Sequence, residues 1–209
     1  MRSDNEKKTN SGYILMTLGS LLILAAVILF AYNKWDSWRA GQAALKIQKA
    51  IESAEDNQNA NSDNGSSDEL QVEIDGNNYI GALSVERFGL YLPVLSQWSY
   101  PGLKVSPCRY SGTAETNDLV ICGHNYDRHF GKLKNLEAGD TVTFTAASGV
   151  KTDYSVSEVI VLQPTAVEEM INNQSGKWDL TLFTCTSSGR ARVTVRCTKI
   201  EKSTEEYAS

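Results

Sequence analysis

The run Tyr13–Tyr32, YILMTLGSLLILAAVILFAY, holds 20 residues without a charge, and it restricts this 209-residue chain more than any other feature. As a helix it is long enough to cross the roughly 30 Å hydrocarbon core of a bilayer. Apolar residues occur all around it, so it has no polar face to turn to water in a soluble fold. A removable secretory signal fits less well. Its apolar core runs to only about 7–15 residues before a small-x-small site, whereas this run ends in Phe30-Ala-Tyr-Asn-Lys-Trp35. The expectation is one retained transmembrane helix over residues 13–32, with Trp35 and Trp38 at the membrane boundary. Arg2, Lys7 and Lys8 precede it, and Lys34, Arg39, Lys46 and Lys49 follow, so charge leaves its orientation open.

The remainder divides by composition. Residues 1–12 form a short tail, and residues 33–54 carry small or apolar side chains at helical spacing, which predicts a juxtamembrane helical stalk. Residues 55–68, EDNQNANSDNGSSD, contain no large apolar side chain and cannot offset chain entropy by burial. They read as a disordered linker spanning on the order of 20 Å. The folded domain is then expected over residues 69–209. Leu70-Val72-Ile74, Leu90-Leu92-Val94, Val142-Phe144, Tyr154-Val156 and Val159-Val161 alternate as strands do. Thr165–Ile171 is the clear helical stretch in the second half. Short strands with one or two helical turns predict a mainly β domain, an antiparallel barrel or sandwich.

Composition also excludes functions. Twenty basic against 25 acidic side chains, with no Lys/Arg-dense stretch, is not the footprint of a nucleic-acid binder. Four cysteines are too few for a disulfide scaffold, and two histidines argue against a His-rich metal site. Glu137, Asp140, Glu168 and Glu169 lack the ligand spacing of a calcium loop.

Two stretches carry chemistry. Asp118-Leu-Val-Ile-Cys-Gly-His124 is a strand that delivers His124 at its end, with Val120, Cys122 and His124 on one face. Leu180-Thr-Leu-Phe-Thr-Cys185 delivers Cys185 in the same way, and a Ser-Ser-Gly turn leads into Arg190-Ala-Arg-Val-Thr-Val-Arg-Cys197. In that last strand Val193, Val195 and Cys197 face one way, and Arg190, Arg192, Thr194 and Arg196 the other. Cys, His and Arg at strand ends are the elements of a nucleophilic site. On residue types alone the pattern is weak, since a lone Cys or His is more often structural.

Thr181-Leu-Phe-Thr-Cys185, an Arg opening the next strand, and an upstream Gly123-His124 after an apolar strand together resemble the sortases, cysteine transpeptidases of the Gram-positive cell surface. The resemblance continues through Phe130-Gly-Lys-Leu-Lys-Asn-Leu-Glu-Ala-Gly-Asp-Thr-Val142 and covers nearly all of residues 80–200. It implies a closed β-barrel of about eight strands with short helices. It implies Cys185 as nucleophile, His124 as its acid/base partner, Arg192 as oxyanion and substrate stabiliser, and Thr184 in substrate contact. The substrate would be an LPXTG-like sorting signal, cleaved through a thioester on Cys185. The acyl group would pass to an amine of a cell-wall precursor or a pilin lysine, with neither metal nor organic cofactor. The resemblance also implies a cytoplasmic N-terminus and an extracellular catalytic domain.

Alternatives remain at this point. His129, in the polar stretch Asp127-Arg-His129, is the rival histidine, and Arg190 shares the parity of Arg192. Cys108, Cys122 and Cys197 are either free or supply one disulfide, such as Cys108 with Cys122, and the sequence does not choose. A non-catalytic, membrane-tethered β-barrel binding module is the competing function. A papain-like hydrolase is disfavoured, because there the Cys precedes the His in sequence.

Overall fold

The computed structural model describes residues 12–32, 46–50, 70–172 and 176–201. They belong to two units divided between Gly41 and Gln42. The first contains helix α1, Gly12–Tyr32, whose 21 residues are long and apolar enough to cross a membrane and carry no buried side chains. At 1.5 Å per residue it extends about 31 Å. Thr17 and Ser20 donate their hydroxyls to the carbonyls of Ile14 and Met16, which satisfies them without water.

The expected tail (apart from residue 12), most of the stalk and the whole linker 55–68 lie outside the described residues. Residues 46–50 of the stalk form a helical turn, α2. Ile47 is fully buried in a cluster with Ile74, Tyr79 and Leu95, and Lys46 pairs with Asp75 at 2.9 Å.

The second unit is built from β1 (Val72–Ile74), β2 (Asn77–Val85), β3 (Leu90–Leu95), α3 (Tyr100–Val105), β4 (Cys108–Ser111), β5 (Leu119–Gly123), β6 (Thr141–Ala146), β7 (Lys151–Leu162), α4 (Val167–Ile171), β8 (Leu180–Cys185) and β9 (Arg192–Lys199). Strand order β2-β3-β4-β5-β8-β9-β7-β6 closes through β2–β6 pairing, giving the eight-stranded barrel that the resemblance implies. Pairs β3–β4 and β5–β8 are parallel, however, so the barrel is mixed and not antiparallel throughout as the alternation alone suggests. Closure depends on a change of partner within β2. Residues 77–79 pair with β1, and residues 81–85 with β6, across an irregularity between Tyr79 and Gly81. Gly81 has φ +151°, and a Cβ there would lie 2.1 Å from the Thr145 carbonyl oxygen, so only glycine lets the strands meet.

Inward side chains fill the barrel. Leu83, Ile121, Phe144, Leu182 and Val195 are enclosed in one cluster, where each fully buried side chain contributes about 1.5–3 kcal/mol relative to exposure. Outside the barrel, a second cluster gathers Leu103 of α3 with Leu95, Cys108 and Cys122. The two alternating runs 154–156 and 159–161 form one 12-residue strand, β7, whose register slips between Val156 and Glu158. That bulge is why the alternation reads as interrupted.

Candidate active site

Two strand pairings bring the chemical residues together. Strands β5 and β8 are parallel, with Gly123 opposite Thr184, so His124 and Cys185 emerge next to each other at the same end. Strands β8 and β9 are antiparallel, with Cys185 opposite Arg192. Since neighbouring strands lie about 4.8 Å apart, the row His124, Cys185, Arg192 spans about 10 Å of backbone. Alternation then sets the face. Leu180 and Leu182 point into the core, so Phe183 and Cys185 point outward and Cys185 remains partly exposed.

Thr184 points inward. It is buried and donates its hydroxyl to the Gly123 carbonyl at 2.8 Å. This bond ties β8 to β5 just below His124 and Cys185 and commits the hydroxyl proton of Thr184 to the fold.

The two histidines differ sharply. His124 is partly exposed, and Tyr126 stacks on it with ring centroids 4.8 Å apart. The following loop folds back on itself: Phe130 N–H donates to the His124 carbonyl, and His129 and Gly131 N–H groups both donate to the Tyr126 carbonyl. Burial first, then the Lys104 ammonium on α3, hold the His124 pKa below the ordinary imidazole value. His129, despite its polar neighbours in sequence, is buried beside Phe130.

The arginines separate as well. Arg190 is exposed in the β8–β9 turn and lies outside the register row. Arg192 opens β9, and one of its terminal nitrogens, Nη1, donates to the carbonyls of Gly189 and Ala191 at 3.2 and 3.1 Å. A guanidinium has five N–H donors, so this contact leaves others for a ligand.

All four thiols are free. Cys108 and Cys122 are directly opposed on β4 and β5, but Cys122 Sγ donates to the Cys108 carbonyl at 3.5 Å. Burial raises the Cys108 thiol to about 11 and Cys197 to about 12, and it raises Cys122 further still. These three are kept as neutral thiols, whereas Cys185 stands at the open strand end. Of the carboxylates considered for calcium, Glu137 and Asp140 hold Arg87 at 2.8 and 3.0 Å.

A Sortase domain family model matches residues 83–200, more than half of the chain and the whole of the segment that carries this row. The chain belongs to the sortase family. This makes it a cysteine transpeptidase by family. Among solved structures it is similar to sortase C1 from Streptococcus suis, at 24% identity and TM-score 0.50, covering 62% of this chain and 76% of that one. A sortase D5 transpeptidase from Clostridium perfringens matches at 23% identity and TM-score 0.53, covering 62% and 83%. Sortase A from Corynebacterium diphtheriae matches at 16% identity and TM-score 0.53, covering 83% and 95%. At these identities the likeness is one of fold. No curated protein sequence matches the chain.

The site contains groups that sequence reasoning did not single out. Lys104 and Tyr126 both act on His124, yet each sits in a segment whose letters carry no periodic signal. Phe183 shares the outward face of β8 with Cys185, and its contact with Tyr110 joins segments that local pattern does not pair.

Proposed function

We propose that this sortase cleaves an LPXTG-like sorting signal through a thioester on Cys185 and transfers the acyl group to an amine of a cell-wall precursor or a pilin. The observation that carries this reading is the register row: His124 and Arg192 flank Cys185 on adjacent strands, at the exposed end of the barrel. Cys185 passes its thiol proton to His124 as the sulfur attacks the Thr–Gly carbonyl carbon, and the carbonyl π electrons move onto oxygen. Free N–H donors of Arg192 stabilise that oxyanion. Collapse of the tetrahedral intermediate breaks the C–N bond, and the His124 imidazolium protonates the departing amine. An acceptor amine then attacks the thioester, His124 takes its proton, and the Cys185 thiolate leaves. Thr184 serves as a tie that keeps the strands bearing His124 and Cys185 in register.

Helix α1 supports a single-pass membrane anchor, and membership of the sortase family supports a cytoplasmic N-terminus with the barrel outside. The test is a panel of sorting-signal peptides offered with a small amine to the full chain in detergent, with products identified by mass spectrometry. Cleavage between Thr and Gly together with an amine-capped product is the expected result. A folded, reduced protein that only binds such peptides, without cleaving any, is instead a tethered binding module.

A further inference from the structure

The connector from Leu95 to Tyr110 takes no part in the catalytic row, yet it lines up aromatic rings on the face where Cys185 opens. Phe183 stands on β8 two residues before Cys185, on the same side of the strand. Tyr110 meets Phe183 edge-on with centroids 5.3 Å apart, Trp98 follows at 6.2 Å from Tyr110, and Tyr100 at 5.1 Å from Trp98. Tyr110, Trp98 and Tyr100 are 37, 42 and 72% exposed. Adjoining aromatic rings left in water mark a recognition surface more often than a scattering of single exposed residues does. Arg109, next to Tyr110, directs its Nε to the Ser96 carbonyl at 3.0 Å.

We propose that this row is a subsite for the acyl donor, which receives a large aromatic or aliphatic side chain about four to six residues from the bond that Cys185 attacks. The inference rests on the transpeptidase reading of Cys185. Reach sets the spacing. Phe183 is about 6.6 Å from Cys185 along the strand, and an extended peptide advances about 3.3 Å per residue. Tyr110 is therefore met about four residues from the scissile bond, and Trp98 about five or six. A five-residue motif has only four residues on its acyl side, so Trp98 and Tyr100 recognise sequence outside it. Continuity selects the occupant: the row begins at Phe183, beside the nucleophile where a donor chain has to lie. Ring faces and edges pack well against an apolar or planar side chain, and the negative ring faces disfavour a carboxylate.

The experiment extends the best five-residue peptide of the sorting-signal panel by Ser-Trp-Ser before the motif or by Ser-Ser-Ser-Trp-Ser after it, so that Trp stands about six or five residues from the scissile bond. Each is compared with an all-serine extension of equal length. Acylation of Cys185 in the full chain is then followed by intact mass. On one flank the Trp-bearing extension is expected to raise kcat/KM about tenfold over the serine extension, mainly through KM. Trp98→Ser, and separately Tyr100→Ser at the most exposed ring, bring that ratio down towards one. Equal rates with both extensions on both flanks overturn the inference alone, as does a gain that survives both substitutions. Failure of every peptide to acylate Cys185 overturns the transpeptidase reading and this inference with it.

Discussion

Strand β9 holds two arginines four residues apart on the same outward face, Arg192 at its start and Arg196 in its middle, in opposite circumstances. Arg196, with 14% of its side chain exposed, donates to Glu158 at 2.7 Å and to the Glu169 carbonyl at 2.9 Å. Its guanidinium also lies 3.8 Å from the ring centre of Trp178. It thus joins β7, α4 and the approach to β8. Among the described residues, Arg192 hydrogen-bonds two carbonyls of its own turn, both through one nitrogen. A guanidinium whose donors hold two elements and whose face packs on a third has become architecture. One that opens a strand opposite a partly exposed cysteine, with donors to spare, is equipped to meet a ligand.

The same contrast separates Cys185 from the three buried thiols, and it can be broken by substitution. Cys185→Ala is expected to abolish peptide turnover, and His124→Ala to lower kcat/KM by about 10²–10⁴-fold in a peptide-cleavage assay. Arg192→Ala, which removes the oxyanion donors, is expected to cost about 10²–10³-fold, and Arg192→Lys to recover only part because an ammonium lacks the planar fork. Arg196→Met should reverse the pattern. Turnover falls by less than about tenfold, while chemical denaturation shows a loss of about 1–3 kcal/mol from the severed contacts. A well-folded Arg196→Met that is catalytically worse than Arg192→Ala contradicts the division of roles.

The smallest effect concerns charge at the site. Lys104 disfavours the His124 imidazolium, so Lys104→Gln is expected to raise the His124 midpoint in an NMR titration. A lower or unmoved midpoint removes Lys104 from the electrostatics of the site.

Strand-end residues were legible because period-two alternation places them without knowledge of partners: His124 and Cys185 each close an apolar strand. Arg192 and Arg190 share a parity, so choosing between them from structure needed the β8–β9 register, which pairs residues far from the reach of local pattern. The barrel itself was visible as a class, but its closure depends on Gly81 approaching Thr145, a contact between segments more than 60 residues apart. Helix α3 was invisible for a local reason. Its six residues contain Pro101 and Gly102, and what starts it is the Ser99 hydroxyl accepting the Gly102 N–H at 2.9 Å. His129 misleads in the opposite way, since Asp127 and Arg128 before it suggest a solvated loop around a side chain that is in fact buried.

The most direct test of Cys185 as the acyl carrier is intact-mass analysis of the full chain, quenched in acid during reaction with a sorting-signal peptide. The expected spectrum shows the protein heavier by the acyl fragment, located to Cys185 by peptide mapping, released by hydroxylamine and absent from Cys185→Ala. Turnover of the peptide with no adduct under trapping conditions, or an adduct that persists in Cys185→Ala, contradicts the assignment.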